Sequence, residues 1–192
     1  MKILVTGAAG FVGRRLCEEL TESGHTVRAL VRRPREPSIQ ASEVVHGDVT
    51  DESFAAAATY GIDAVVHLAA RAHVMKDRAS NPLAEYRRVN VGGTRLMLNA
   101  STKSGVSHFI LASSVKAVGE TSRETWNGRT PPQPVDPYGI SKLEAELLLH
   151  DSRPARSTCR LRYPRIYGPG RGGNVLRWFE LSEHGRAVPG GA

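Results

Sequence analysis

The sequence predicts an α/β protein built on a doubly wound, mostly parallel sheet in three layers. Two observations predict this fold. Short apolar runs rich in β-branched residues recur along the chain, and stretches with helical periodicity separate them. An alternation of strand and helix requires parallel strands joined by right-handed crossovers, which place helices on both faces of the sheet.

Six segments are predicted to form the strands of this sheet. They cover residues 2–6, 26–31, 43–47, 64–68, 108–113 and 157–162. Each is short and mainly apolar, as is typical of a strand that is buried between two layers of helices.

The first helix follows the first strand. Val12, Leu16 and Leu20 share one of its faces, and Gly24 stands where a C-terminal glycine ends a helix. The spacing predicts that this face packs on the sheet.

Two later helices carry clear start signals. Asn81 is a predicted N-cap with Pro82 at the first helical position, and Asp136 with Pro137 repeats the pattern. Residues 119–135 contain several prolines and polar residues and are expected to form an irregular surface segment.

Composition limits the possible classes of protein. The 192 residues, 40% of them hydrophobic and 23% charged, are enough for one sizeable core. The net charge of +7 is spread from Arg14 to Arg186 without a run of like charges, so a nucleic-acid partner is not predicted.

The sequence contains no predicted targeting signal and no apolar run approaching the ~20 residues that span a bilayer. We therefore expect no membrane partner and a cytoplasmic protein. Cys17 and Cys159 lack metal or disulfide spacing and are expected to be reduced core residues.

A glycine-rich turn joins the first strand to the first helix. Gly7, Gly10 and Gly13 form the pattern GxxGxxG in TGAAGFVG. Without Cβ atoms the turn can be tight, and its backbone can approach a pyrophosphate whose charge meets the N–H groups at the helix start. This context predicts a dinucleotide site, as in a Rossmann fold.

The end of the second strand bears on which dinucleotide binds. An acid at this place often takes the ribose hydroxyls of NAD, but here Val31 is followed by Arg32 and Arg33. A guanidinium can clamp a 2′-phosphate, so NADP is preferred and NAD is possible. The alternative is that both arginines are simply solvent-exposed at the end of the strand and bind no phosphate. Asp48, after the third strand, is a candidate to reach the adenine or to cap the next helix.

Tyr138 and Lys142 are one helical turn apart in DPYGISKLEAE and share a face. An ammonium near a phenol is expected to lower its pKa and make it a useful proton carrier. Ser113 and Ser114 leave the fifth strand at the carboxyl edge of the sheet, where open α/β sheets bind ligands. A hydroxyl there could hold a carbonyl oxygen while Tyr138 donates its proton.

Together these motifs resemble the extended short-chain dehydrogenase/reductase superfamily, and within it the NAD(P)-dependent epimerase/dehydratase enzymes that act on nucleotide sugars. The resemblance runs from Met1 to about Gly170. It rests on VTGAAGFVG, HGDVTD, VVHLAA, YRRVNVGGT, SSVKAVGE, YGISK and LRYPRIYGPG.

The resemblance implies roles for particular residues. Ser114, Tyr138 and Lys142 would be catalytic, with Lys142 also bonding the nicotinamide ribose, and Asn90 would support the site. The residues implied to contact the cofactor are Gly7, Gly10, Phe11, Val12, Gly13, Arg32, Asp48, Val49, Leu68, Ala69, Ala70, Asn90, Tyr138 and Lys142. A metal site is not expected, because His67 and His73 have no further ligands at suitable spacing.

The activity implied is oxidoreduction of a nucleotide sugar, either C4 epimerisation or ketoreduction of a UDP-sugar. The alternative is a non-catalytic NADP-binding sensor or scaffold. Relatives pair through the helices that hold Asn90 and Tyr138, which implies a homodimer. Residues 1–170 would form the NAD(P)-binding domain and residues 171–192 the start of a substrate lobe that is largely missing, so the chain is either a fragment or a minimal form.

Some positions depart from the family pattern or stay open. Val118 replaces the usual tyrosine of VYG and Lys116 stands two residues earlier, which favours members that act on UDP-N-acetyl-sugars. Arg162 and Arg171 could contact the phosphates of a sugar nucleotide, and Trp178 and Phe179 could contact its base, or all four could be structural residues. Asn174 lies where related chains begin to contact the nucleotide. Asn174, Trp178 and Phe179 lie in a helix predicted over residues 174–185.

Overall fold

The computed structural model describes residues 1–33, 39–72, 79–122, 125–152 and 155–168. These residues form one six-stranded sheet in which every neighbouring pair is parallel, in the order β3-β2-β1-β4-β5-β6. The strands are β1 (Lys2–Thr6), β2 (Thr26–Val31), β3 (Glu43–His46), β4 (Ala64–His67), β5 (His108–Ser114) and β6 (Ser157–Tyr163). The predicted doubly wound parallel sheet is confirmed.

Helices cover both faces of the sheet. They are α1 (Phe11–Glu22), α2 (Glu52–Thr59), α3 (Pro82–Tyr86), a π-helical segment (Arg87–Gly92), α4 (Gly93–Lys103), a 3₁₀ turn (Val115–Ala117) and α5 (Pro137–Ser152). Residues at both junctions of the π-helical segment keep helical backbone angles, so α3, this segment and α4 run on as one helix.

The helix signals in the sequence are confirmed. Gly24 ends α1 with φ of +80°, and its N–H donates to the Thr21 carbonyl. The Asn81 side chain accepts from the Ala84 N–H at 3.1 Å and so caps α3. In the described parts of residues 119–135 there is no helix or strand.

Two apolar clusters lie on the two faces of β1. Leu4 belongs to the cluster that packs under α2, α4 and α5, whereas Val5 belongs to the cluster under α1. This alternation follows from the two-residue period of a strand. Thr6 therefore points to the same side as Leu4, and it is fully buried there.

The strand order places the candidate site. The chain winds outward from β1 in one direction through β2 and β3 and in the other through β4, β5 and β6. The strand order therefore reverses between β1 and β4, and ligands of open α/β sheets bind outside the carboxyl ends of the strands at this point. The turns after β1, β4 and β5 all lie at that edge.

One expectation about the core is wrong. Cys17 is buried as expected, but Cys159 is exposed. Cys159 lies on β6, the edge strand, whose residues 157–161 are exposed in the structure. An apolar strand pattern predicts a strand but does not show whether a helix covers it. The predicted helix at 174–185 lies outside the described residues.

No helix in the described part of the chain has the length and apolar character needed to cross a membrane.

Gly13 offers a test of the close contact between α1 and the turn before it. A Cβ atom on Gly13 would overlap the Gly7 carbonyl and Ala8, whereas one on Gly92 would meet only the Arg87 carbonyl at 3.7 Å. We expect Gly13→Ala to lower the free energy of unfolding by about 1–3 kcal/mol. The matched Gly92→Ala should be neutral or stabilising by up to about 1 kcal/mol, since alanine costs less backbone entropy in a helix. Urea denaturation measures both, and equal effects would contradict the packing described.

Candidate functional site

The turn after β1 has the form of a cradle for a phosphate group. Gly7 has φ of +67°, and a Cβ atom on it would lie 2.8 Å from the Ala69 backbone nitrogen. Gly10 is the N-cap of α1 and gives the helix no side-chain cap. The turn thus brings bare backbone to the end of β4 and leaves the first turn of α1 open to an anion. A dinucleotide pyrophosphate fits this turn.

The other residues predicted to contact a cofactor lie around the same edge. Phe11 and Val12 form the first turn of α1, and Leu68, Ala69 and Ala70 directly follow β4. Val49 is buried, with its side chain against Gly93. Arg32 and Arg33 are exposed after β2. Further positions considered in the sequence lie outside the described residues: His73, Arg171, Asn174, Trp178 and Phe179.

Asp48 does not cap the next helix. Its Oδ1 accepts from the Thr50 N–H at 2.9 Å and from the Thr50 hydroxyl at 2.8 Å, while Asp51 caps α2. Burial alone would raise the pKa of Asp48, but the two hydrogen bonds from Thr50 outweigh it and lower the pKa, with Arg32 and Arg88 adding to this. Asp48 is thus an ionised group facing the end of β2.

Ser114, Tyr138 and Lys142 come together at the carboxyl end of β5. Ser114 is the last residue of β5, and Tyr138 lies in the first turn of α5. The Ser114 hydroxyl lies close enough to the Tyr138 phenol to lower its pKa. Lys142 lies one turn further along α5 and is 3% exposed.

The expected direction of the Tyr138 pKa is wrong. Burial raises the pKa of Tyr138 above its usual value and outweighs the opposing effect of the hydrogen bond from Ser114. Lys142 does not reverse this, although the two residues share a helix face. The phenol is therefore a protonated donor at neutral pH, because desolvation disfavours the phenolate.

The Lys142 ammonium lies in the interior of the protein. Among the described residues it makes no hydrogen bond or salt bridge that the structure shows. Burial lowers the pKa of Lys142 to about 8, and the charge of Glu146, one turn further along α5, opposes this shift. A buried donor with three N–H bonds fits the hydroxyls of a bound ribose.

Asn90 ties three segments together behind the site. Its Oδ1 accepts from the Arg71 N–H at 2.7 Å, and its Nδ2 donates to the Arg71 carbonyl at 3.2 Å and to Ser141 Oγ at 2.9 Å. Ser141 lies on α5 and donates in turn to the Tyr138 carbonyl. Asn90 is 1% exposed, so its amide is satisfied entirely by the protein and positions α5 against the residues after β4.

Sequence reasoning missed a buried carboxylate beside the site. Glu146 is 2% exposed and accepts from the Ser113 hydroxyl at 2.5 Å and from Arg162 Nη2 at 2.7 Å. Arg162, considered as a phosphate ligand, is therefore engaged with Glu146. The available signal was the spacing of Tyr138, Lys142 and Glu146 at intervals of four on one helix face.

His67 is a hydrogen-bonded strand residue. Its Nδ1 lies 2.8 Å from Thr6 Oγ1, which also accepts from the Ala69 N–H at 3.1 Å. Burial lowers the pKa of His67 to about 3, and the Lys142 charge adds to this, so the ring is neutral. Within the described ranges no group of three or more potential metal ligands occurs.

The fold and this constellation define a class of protein. A doubly wound parallel sheet with a glycine turn after β1 is a dinucleotide-binding architecture, and a serine, a tyrosine and a lysine meet at its ligand-binding edge. The sequence model of the NAD dependent epimerase/dehydratase family matches residues 3–179. The chain belongs to this family.

Similar proteins of known sequence include enzymes with different substrates. The chain is 36% identical over 197 residues to a UDP-glucose 4-epimerase of Vibrio cholerae, covering 99% of this chain and 59% of the relative. It is 35% identical to a 3 beta-hydroxysteroid dehydrogenase/Delta 5-->4-isomerase of Mycobacterium tuberculosis, covering 98% of this chain and 54% of the relative. The chain thus spans a little over half the length of these relatives.

Solved structures show the same fold. MoeE5 in complex with UDP-glucose and NAD is 31% identical, with a TM-score of 0.83 over 96% of this chain and 62% of that one. The UDP-glucose 4-epimerase of Thermotoga maritima, solved with UDP-glucose, is 28% identical, with a TM-score of 0.82 over 97% of this chain and 64% of that one.

Burial of the Lys142 charge predicts a pH-dependent stability. Because the pKa of about 8 in the folded protein lies below the ordinary lysine value of 10.5, the unfolded chain binds the proton more tightly. The contribution of Lys142 to the free energy of unfolding is therefore unfavourable below about pH 8 and rises between about pH 8 and pH 10.5. At pH 7, Lys142→Met should raise the free energy of unfolding by up to roughly 3 kcal/mol.

Urea denaturation from pH 7 to 10.5 measures this effect as the difference between parent and variant. The exposed Lys103 supplies the control, since Lys103→Met should change stability by no more than about 0.5 kcal/mol at any of these pH values. A Lys142→Met variant that is less stable than the parent at pH 7 and depends on pH in the same way would contradict the claim that burial of the Lys142 charge destabilises the fold.

Proposed function

We propose that this chain carries the cofactor site and the proton-transfer residues of an NAD(P)-dependent oxidoreductase that acts on a nucleotide sugar. The observation that supports it most is the buried ammonium of Lys142. It lies one helical turn from Tyr138, whose phenol is beside the Ser114 hydroxyl at the ligand-binding edge of the sheet. Chance pairing of a tyrosine and a lysine on a helix would not place the lysine in the interior, where an unpaired charge is costly.

Each residue has a distinct part in this proposal. Ser114 orients a substrate oxygen by hydrogen bonding, and Tyr138 donates its proton to that oxygen during reduction or accepts it during oxidation. The Lys142 ammonium holds the nicotinamide ribose. The cofactor, when bound, supplies or accepts hydride at the carbon that bears this oxygen.

Tyr138 is protonated at neutral pH, since burial raises its pKa. A protonated phenol can protonate the oxygen of a ketone, whereas oxidation of an alcohol needs a group that accepts the proton. Two reactions use these steps: ketoreduction of a 4-keto sugar, and C4 epimerisation, in which the sugar turns over between an oxidative and a reductive hydride step. Residues 171–192 are proposed to begin the lobe that grips the sugar.

Relatives support a nucleotide sugar as substrate. Those with UDP-glucose or dTDP-glucose in their names include the epimerase of Vibrio cholerae and dehydratases of Streptomyces. The similarity to 3 beta-hydroxysteroid dehydrogenases makes a secondary alcohol of another class the competing substrate. Both classes present a carbinol or ketone to the same serine and tyrosine.

The whole protein is proposed to be a homodimer. The paired helices would be the long one that holds Asn90, running from α3 to α4, and α5, on which Leu147 is 53% exposed. A monomeric mass in light scattering would contradict this.

A substrate panel tests the proposed reaction. UDP-sugars, dTDP-sugars and a 3β-hydroxysteroid are incubated with the complete protein and either NADPH or NADP⁺, and products are separated by mass and by retention. We expect turnover with a nucleotide sugar and its loss by at least about 100-fold in Tyr138→Phe, since a general acid contributes that much or more.

The control for this variant is Tyr60→Phe, because Tyr60 is 79% exposed and far from the site in sequence. Retained turnover in Tyr138→Phe would remove Tyr138 from the mechanism. Turnover of the steroid alone would replace the substrate class, and cofactor binding without any turnover would favour a non-catalytic NADP-binding sensor.

Arg32 decides the finer question of cofactor. MoeE5 was solved with NAD, but the exposed Arg32 follows β2, where a 2′-phosphate would lie. Among the residues that the structure describes, Arg32 makes no hydrogen bond. We propose a preference for NADP. Calorimetric titration should give tighter binding of NADPH than NADH by about tenfold, a preference that Arg32→Ala removes, consistent with one charge-assisted contact.

The neighbouring Arg33→Ala serves as the control, with a smaller effect expected. Equal affinity of the parent protein for the two nucleotides would refute the phosphate clamp. Tighter binding of NADH would assign NAD to the site instead, with Asp48 as a carboxylate near Arg32 at the end of β2.

A further inference from the structure

Lys116 lies in the 3₁₀ turn directly after Ser114, where β5 ends. Its backbone N–H donates to Ser114 Oγ at 3.2 Å, so the Ser114 side chain is held by the turn that carries Lys116. The same hydroxyl lies beside the Tyr138 phenol and lowers its pKa. A displacement of this turn therefore moves the hydrogen-bond partner of Tyr138.

The Lys116 side chain reaches from the turn to the start of α5. Its ammonium lies 2.5 Å from Asp136 Oδ2 and 2.6 Å from Glu120 Oε1. Asp136 accepts the Gly139 N–H on its other carboxylate oxygen at 2.6 Å, which caps α5. A single carboxylate thus joins Lys116 to the helical turn that bears Tyr138.

The backbones of the two segments also touch. A Cβ atom on Gly139 would overlap the carbonyl group of Lys116, so α5 begins in direct contact with the 3₁₀ turn. The Ser114 hydroxyl lies beside the Tyr138 phenol, which closes a ring of contacts of which the Lys116 side chain is one member.

The free-energy contribution of the Lys116 ion pairs indicates their role. The Lys116 side chain is 43% exposed, and exposed pairs contribute only about 0–1 kcal/mol to folding. Their contribution to global stability is therefore small. Hydrogen bonds weaken steeply as their geometry departs from the optimum. The Lys116–Asp136 ion pair can therefore have a large effect on the interaction between the Ser114 and Tyr138 hydroxyls.

Several groups face Tyr138 and influence its ionisation. Burial has the largest influence and raises its pKa; the hydrogen bond from Ser114 lowers it, Asp136 and Tyr86 raise it, and Lys116 lowers it. The charged and titratable groups that act on it are Asp136 on α5, Lys116 on the 3₁₀ turn and Tyr86 on α3. Lys142 lies one turn further along α5, and Arg71 lies over the Tyr86 ring.

We propose that Lys116 is a positioning residue: its ammonium fastens the turn that carries Ser114 to the first turn of α5 and so keeps the Ser114 hydroxyl within hydrogen-bond distance of Tyr138. This inference rests on the proposed role of Tyr138, but its geometry requires neither cofactor nor substrate. Since two carboxylates neutralise the ammonium, Lys116 acts on the protein and not on an anionic group of the substrate.

A titration of Tyr138 tests the proposal without any assay of activity. The protein is labelled with 3-fluorotyrosine, whose more acidic phenol titrates where the protein remains folded, and its five tyrosines are followed by ¹⁹F NMR. The Tyr138 resonance is assigned from its loss in Tyr138→Phe. We expect Lys116→Met to raise the Tyr138 pKa by about 0.5–1 unit, because a cation and a well-placed hydrogen bond are both lost.

A double-mutant cycle separates positioning from the effect of charge alone. In the parent, Ser114→Ala should raise the Tyr138 pKa, because the serine hydroxyl lowers it. In the Lys116→Met background the same change should have less than about half that effect, because the serine is no longer held in place. Equal effects of Ser114→Ala in both backgrounds would overturn the proposal.

Two variants complete the design. Arg87→Met removes another ion pair to α5, the one with Glu144 at 2.6 Å, and should leave the Tyr138 pKa unchanged; a shift as large as that of Lys116→Met would overturn the assignment to Lys116. Lys116→Arg should retain the parent pKa. If Lys116→Met does not fold, Lys116→Gln, which keeps a polar side chain without the charge, takes its place in the same cycle.

The outcomes distinguish this inference from the proposed function. If Ser114→Ala shifts the Tyr138 pKa equally with and without Lys116, only the positioning role is contradicted, and the proposed reaction is not affected. Absence of turnover with every substrate contradicts only the proposed reaction, because the NMR titration reports on the folded protein alone.

Discussion

A buried ammonium is the constraint on which the rest of the site depends. Lys142 is 3% exposed and makes no hydrogen bond or salt bridge that the structure shows among the described residues. Burial of such a charge is costly, and a protein retains it where another molecule supplies the missing partner. The glycine turn after β1 opens on the same edge of the sheet, so a dinucleotide lying between the two would satisfy both the open helix end and the ammonium.

The surroundings of Lys142 are polar groups that satisfy one another. Asn90 joins the end of β4 to α5 through Ser141, and Glu146 fixes Ser113 and Arg162 at the end of β5. These contacts hold the strands and α5 in register without supplying a partner to the ammonium. The side chains around the site are thus positioned by hydrogen bonds within the protein, as proton and hydride transfer require.

Local signals made much of this predictable from sequence. The strand alternation, the caps at Asn81 and the glycine turn each depend on a few neighbouring residues, and the structure has them where the sequence placed them. The pKa of Tyr138 was predicted in the wrong direction because burial is a property of the whole fold. Glu146 was missed, and Cys159 was wrongly placed in the core, for the same reason: partners and cover come from segments distant in sequence.

The most direct measurement is a crystal structure of the protein with a bound nicotinamide dinucleotide. We expect the pyrophosphate to lie on the turn from Gly7 to Gly13 and a ribose hydroxyl to lie within about 3 Å of the Lys142 ammonium. The nicotinamide should face the Tyr138 phenol. A dinucleotide bound elsewhere, with the Lys142 ammonium still without a hydrogen bond, would contradict this arrangement.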